Sequence, residues 1–198
     1  MSASRDLRVL SAAARALKRR NGRPALPALL FFTDPTRTPD PLASAQKLPP
    51  DAAIVYRHFG AAGRLAMAKR LLRACRRRRL KLLIGADWGL AARIGADGVH
   101  LPERRRSQAF QLRKAHRNWL ITVAAHRRLY ATPGADAVVL APIYPSASPS
   151  AQNTLGARRA NAMARRSSTP VYALGGVNAG NAARLSSFAS LAAIEALA

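Results

Sequence analysis

Residues 171–178 read Val-Tyr-Ala-Leu-Gly-Gly-Val-Asn. A short run with strand preference enters a glycine pair, and an asparagine able to cap a helix follows. This pattern predicts a buried parallel strand, a tight turn and a helix opening at Asn178. Glycines at 175 and 176 let the backbone approach an anion closely. A helix start after them would offer unpaired N–H groups at its positive end. The same residues also serve a plain strand-to-helix turn, so the pair gains functional meaning only from its place in the fold.

Outward from this segment the alternation recurs. Apolar runs at 27–33, 53–58, 81–86, 98–101, 120–125, 137–141, 171–174 and 191–196 read as eight strands, separated by basic, alanine-rich stretches. Between residues 61 and 80, Leu65, Ala68, Leu72 and Cys75 fall on one helical face, with the arginines elsewhere. Asp87 reads as the cap of the next helix and Gly95 as its end. Such alternation fits a closed barrel or an open doubly wound sheet. Strands of similar length, and no dinucleotide glycine fingerprint after the first strand, favour an α/β fold of the (β/α)8 TIM type. At 198 residues it is compact against the roughly 250 typical of such barrels, and it stops where an eighth strand ends, without a last helix.

Residues 1–25 read as a basic N-terminal helix and 26–198 as a single barrel domain. Leu7, Leu10, Ala14 and Leu17 give the leading helix an apolar face that packs against the barrel or caps its bottom; a helix lying on a membrane surface is the alternative. No apolar run approaches the roughly 20 residues of a membrane span. No secretory h-region or cleavage site is present, which points to a cytoplasmic protein. The single cysteine, Cys75, reads as a structural thiol.

Thirty-three Lys and Arg against nine Asp and Glu leave a net charge of +24. Nonspecific attraction of polyanions follows from that field. The arginine runs, such as Arg76 to Arg79 and Arg104 to Arg106, lack the interleaved aromatics of a stacking platform, so solvated helix faces explain them more simply than nucleic-acid binding does.

Four segments in order carry a resemblance. Thr33-Asp34-Pro35, Gly95-Ala96-Asp97-Gly98-Val99-His100-Leu101, Gly134-Ala135-Asp136 leading into Ala141-Pro142-Ile143-Tyr144-Pro145, and Leu174-Gly175-Gly176-Val177 together resemble the thiamine-phosphate synthases and the related thiazole tautomerases, over roughly residues 26 to 180. In the synthases a pyrimidine diphosphate loses pyrophosphate with help from Mg²⁺ and basic groups, and the nitrogen of a thiazole phosphate captures the cation. The resemblance therefore implies a phosphorylated thiazole or pyrimidine ligand, with Gly175, Gly176, Val177 and Asn178 on a phosphate. Tyr144, Ser146 and Ser148 would lie in the substrate loop.

The chain departs from that pattern where the metal and diphosphate are held. The second strand's usual Gln, Arg and Lys reduce to Arg57. The third strand's Asn-Asp becomes Gly85-Ala86, leaving Asp87 one place later as a weak metal candidate. A second metal-binding Asp is expected where Pro102-Glu103-Arg104-Arg105 stands, which leaves Glu103 as the other weak candidate. Ala124 replaces a serine, and Pro149 takes a lysine's place. His126 is retained and resembles the tautomerase histidine, which needs neither diphosphate nor metal. Arg57 and His126 are thus the catalytic candidates; His58 and His100 read as structural and His116 as exposed. A divergent synthase, a tautomerase-like isomerase and a non-catalytic binder of phosphate ligands or polyanions all remain open on these residues.

Overall fold

The structure, a computed structural model, describes residues 3–21, 24–146 and 153–194. Helix α1 (Ala3–Arg20) leads into β1 (Leu29–Phe32), α2 (Pro41–Lys47), β2 (Ala52–Tyr56), α3 (Arg64–Arg77) and β3 (Lys81–Gly85). Then come α4 (Trp88–Ile94), β4 (Gly98–Leu101), α5 (Gln108–Ala115), β5 (Leu120–Ala125), β6 (Ala137–Leu140), α6 (Gly156–Arg166), β7 (Val171–Ala173) and β8 (Ser190–Ala193). The eight strands pair in parallel and in chain order, and β8 pairs with β1 to close the ring. The fold is the (β/α)8 barrel.

Alternation along each strand divides the core in two. Leu30, Phe32, Val55, Leu83, Val139 and Tyr172 fill the barrel interior. Leu29, Phe31, Ile54, Leu82 and Ile84 point outward onto Leu71, Leu72 and Cys75 of α3 and the other helices. Both faces are dry, which is why these strands read as continuous apolar runs rather than as alternating ones. Cys75 is buried, and desolvation pushes its thiol up to about 12, so it packs as a small apolar group.

The two Gly-Ala-Asp segments do the same structural job. The Asp97 backbone N–H donates to the Leu82 carbonyl at 2.9 Å, and its carboxylate accepts from the Leu82 N–H at 2.8 Å. Asp136 repeats this on Ile121, at 2.8 and 2.7 Å. Each aspartate therefore pins the start of a strand to the preceding strand, and these bonds set the register of β4 on β3 and of β6 on β5. The glycine of β4, Gly98, leaves no room for a Cβ, which would collide with the backbone of Leu120.

Helix α1 lies against β8 and the turn before it. Leu10 and Ala14 are buried in the outer core. Arg20 donates to the Ser186 carbonyl at 2.6 Å, and Arg15 makes a two-pronged pair with Asp51 at 2.8 Å on each oxygen. The leading helix thus packs along the barrel wall beside β8 and β1.

Two stretches differ from the sequence expectation. The connection between β5 and β6 contains no α-helix. Instead Arg113 of α5 reaches the end of that loop, donating to the Gly134 carbonyl and pairing with Asp136 at 2.5 Å, while it also donates to the Arg117 and Trp119 carbonyls in the turn before β5. The helix expected to open at Asn178 is a turn followed by one 3-10 turn, Ala182–Arg184. Asn181 causes this: its side chain accepts from the Asn178 N–H at 2.9 Å and donates to the Gly176 carbonyl at 2.8 Å, which closes the chain locally. Of the strand expected at 191–196, residues 195 and 196 lie outside the described residues.

Removing the Asp97 carboxylate orphans the buried N–H that starts β3. Asp97→Ala should therefore lower unfolding stability by about 1–3 kcal/mol, measured by urea denaturation.

Candidate functional site

The mouth formed by the carboxyl ends of the strands holds a cavity of about 460 Å³. The inward register of the strands decides what lines it. Phe32 comes from β1, His100 from β4, Ala124 from β5, Val139 from β6 and Ala192 from β8. Arg57, His126, Ala141 and Leu174 follow the ends of β2, β5, β6 and β7.

One wall is backbone. Gly175, Gly176, Val177 and Asn178 line the cavity. Gly175 (φ +92°) and Gly176 (φ +63°) adopt left-handed conformations that bend the chain around the opening. The Tyr144 N–H donates to the Gly175 carbonyl at 2.9 Å, and Gly176 is packed so tightly on the Pro145 carbonyl that no side chain fits. The N–H groups of 175, 176 and 177 find no acceptor among the described residues, whereas that of Asn178 is taken by Asn181. The phosphate candidates thus separate into three available amides and one occupied amide.

Across the mouth stands a cationic corner. Arg57 packs over the Phe32 ring at 5.3 Å, donates from Nε to the Thr33 carbonyl at 3.0 Å and lies 3.5 Å from Asp34. Burial lowers its pKa, yet a guanidinium stays charged across the working range. Arg37, which also lines the cavity, pairs with Asp34 at 3.0 Å. The Arg37 side chain, with the N–H groups of Arg37 and Thr36, draws the Asp34 carboxyl down to about 2 against its burial. Sequence reading placed Asp34 in a motif without a role and passed over Arg37. Its position three residues on, within reach of the same carboxylate, was the available signal.

His126 and Glu103 come together: His126 Nδ1 lies 2.6 Å from Glu103 Oε2. His100, read as structural, lines the mouth. Its Nδ1 lies 2.9 Å from Thr122 Oγ1, its ring meets the edge of Phe32 at 4.9 Å, and desolvation, aided by Arg57 and His126, holds its pKa down to about 3. His58 is buried against Tyr56, as expected, and His116 is half-buried, stacked on Trp119 at 3.6 Å.

The remaining candidates disperse. Ser146 lines the mouth, while Ser148 lies outside the described residues. Tyr144 does not line the cavity; it packs on the outer core, with its hydroxyl 3.4 Å from the Asn181 carbonyl. Asp87 faces a separate small cleft with Phe59, Trp88 and Arg105, caps α4 through the Leu90 N–H at 2.8 Å, and pairs with Arg64 at 2.5 Å. Among the described residues no three His, Cys, Asp or Glu side chains cluster to hold a metal ion. No described helix is long and apolar enough to cross a membrane. Asp6 and Leu10 of α1 also reach the mouth, a contribution hidden from the sequence because it depends on how the helix docks.

Fold and cavity together define a (β/α)8 barrel whose pocket opens at the carboxyl ends of its strands, lined by a glycine turn and a half-buried arginine. A family model described as thiamine monophosphate synthase matches residues 47–197, and the chain belongs to that family. It is 32% identical over 126 residues to the thiamine-phosphate synthase of Bacillus velezensis, a match covering 61% of this chain and 56% of that protein. It is 36% identical over 131 residues to the thiamine-phosphate synthase of Thioalkalivibrio sulfidiphilus, covering 61% and 60%. The aligned stretch is thus less than two thirds of either relative's length. Among solved structures, the thiamine phosphate pyrophosphorylase of Pyrococcus furiosus superposes with a TM-score of 0.70 at 21% identity, over 86% of this chain and 87% of that one, which establishes the shared fold.

The low pKa of Asp34 has a measurable consequence. A carboxyl titrating near 2 in the folded chain and near 3.8 otherwise adds stability above the higher value, and that stability drains away as pH falls toward the lower. Between about pH 4 and pH 2 the wild type should lose stability more steeply than Asp34→Asn, as read from denaturation midpoints; equal slopes would exclude the linkage.

Proposed function

We propose that this chain is a divergent member of its family that works in thiamine biosynthesis by binding a phosphorylated thiazole at the barrel mouth. The observation carrying this reading is the run of three residues at 175–177 whose amides have no acceptor among the described residues, in the lining of the cavity that Arg57 also lines. Backbone N–H groups curved by two left-handed glycines suit a phosphate dianion. A desolvated guanidinium adds charge where water does not compete. The apolar lining from Phe32, Val139, Leu174 and Ala192 suits a small heteroaromatic ring.

The Mg²⁺ that the family implies does not fit the carboxylates present. Asp87 is held by Arg64 and by the cap of α4, away from the mouth; Glu103 is held by His126; Asp34 is held by two arginines. A divalent cation binds through oxygen ligands converging on one point; these three are each engaged elsewhere by a cation or ring N–H, and Asp6, which also reaches the mouth, joins no group of three possible ligands among the described residues. We therefore place the metal–diphosphate half of the family's chemistry among the losses. The net charge of +24 would still draw phosphorylated ligands and, at low salt, polyanions toward the protein.

A second reading is favoured by one contact, the Glu103–His126 pair. With a carboxylate on one ring nitrogen and the cavity on the other side, His126 could take a proton from one carbon of a bound thiazole and return it at another, an isomerisation without metal.

Calorimetric titration tests the principal reading. Thiazole phosphate should bind equally well with and without EDTA, and Gly176→Ala, which forces a side chain against Pro145, should weaken it at least about tenfold, since a displaced charge-assisted hydrogen bond is worth roughly 1.5–3 kcal/mol. Tight pyrimidine diphosphate binding that requires Mg²⁺ would overturn it. For the second reading, His126→Ala should abolish proton exchange at the thiazole ring, followed by NMR in deuterated water, while leaving thiazole phosphate binding within about threefold.

A further inference from the structure

Glu103 opens the 3-10 turn Glu103–Arg105 that follows β4, and His126 is the first residue after β5. The two strands are neighbours, with Leu101 opposite Val123, so the turn ending one strand stands over the end of the other. His126 lines the mouth cavity and Glu103 does not, which sets the carboxylate behind the ring. The side chains are 51% and 28% exposed. A pair this open adds little to stability. Its consequence lies in the ring itself: a carboxylate accepts and does not donate, so the neutral imidazole bonded to it carries its proton on Nδ1.

We propose that Glu103 is the positioning residue of the mouth, holding His126 in the tautomer that presents an unprotonated Nε2 to the bound ligand. This deepens the reading of His126 as the proton-moving group and rests on it. Competing partners are accounted for. Arg105, two residues along, donates to the Ala86 carbonyl at 3.1 Å, and Glu103 makes no ion pair with an arginine among the described residues. His100, the other imidazole at the mouth, is committed through Nδ1 to Thr122. Without the carboxylate, His126 would be free to rotate about its own side-chain bonds and to place its proton on either nitrogen.

The test is made on the full chain labelled with ¹⁵N-histidine, at a pH where the ring is neutral. Two-bond ¹⁵N–¹H correlations distinguish the tautomers directly, without any ligand. Wild-type His126 should show the Nδ1–H form. Glu103→Leu should shift it to a population dominated by Nε2–H, and Glu103→Gln, whose amide oxygen still accepts, should restore Nδ1–H. In the isomerisation assay, kcat for thiazole phosphate should fall about 10–100-fold in Glu103→Leu with KM changed less than about twofold, and Glu103→Gln should recover most of it. An unchanged tautomer in Glu103→Leu, or an Nε2–H wild type, would overturn the proposal. Tautomers that shift as stated in a protein that does not isomerise the thiazole would sustain the positioning role and refute only the proton-moving role of His126.

Discussion

Nine carboxylates share this chain with thirty-three lysines and arginines, and that scarcity governs what the barrel can do. Asp51 fastens α1 through Arg15, Asp40 caps α2, Asp87 caps α4 and holds Arg64, and Asp97 and Asp136 lock strand register. Asp34 is drawn to Arg37 and Arg57, and Glu103 to His126. In a field this positive an acidic side chain is worth most where it satisfies a buried N–H or fixes an arginine. Each carboxylate so engaged would have to surrender a partner before joining others around a cation.

The same imbalance explains the behaviour of the arginines. Those with a carboxylate or carbonyl within reach become structural ties: Arg113 joins the turn before β5, through Arg117 and Trp119, to the end of the β5–β6 loop, through Gly134 and Asp136. Guanidinium suits this because it offers five donors in a fixed plane and so satisfies several carbonyls of an irregular loop at once. Arginines without such partners cover exposed helix faces and supply a field that draws anions from a distance, which sets encounter rate rather than selectivity.

The fold was legible because the barrel's two dry faces force continuous apolar runs at regular spacing, and the first seven strands appear where those runs fall, within a residue or two at their ends; the eighth begins one residue early, at Ser190. Gly95 and Asp87 were legible because caps are local. The absence of helices after β5 and β7 was not. The first involves Arg113 reaching Asp136, 23 residues away, and the second a local closure by the Asn181 side chain that competes with the helix start read at Asn178. At the site, the glycine pair could be read from sequence, but its division into available and occupied amides could not. The pairing of His126 with Glu103 joins residues 23 apart and emerges only once β4 and β5 are set side by side.

An anion seat built from backbone and a metal site built from side chains respond differently to changes in sequence. The seat proposed at 175–177 asks only that two positions be glycine, because left-handed backbone and close approach to Pro142 and Pro145 exclude a Cβ there; its donors would be amides that any residue supplies. A metal site asks for several specific carboxylates at once, and losing one leaves the others uncompensated. On the reading proposed above, a chain rich in arginine and poor in acid keeps the first kind of site more readily than the second. That asymmetry fits a mouth lined by glycine backbone, a half-buried guanidinium and a histidine, while Asp40, Asp51, Asp97 and Asp136 serve the frame.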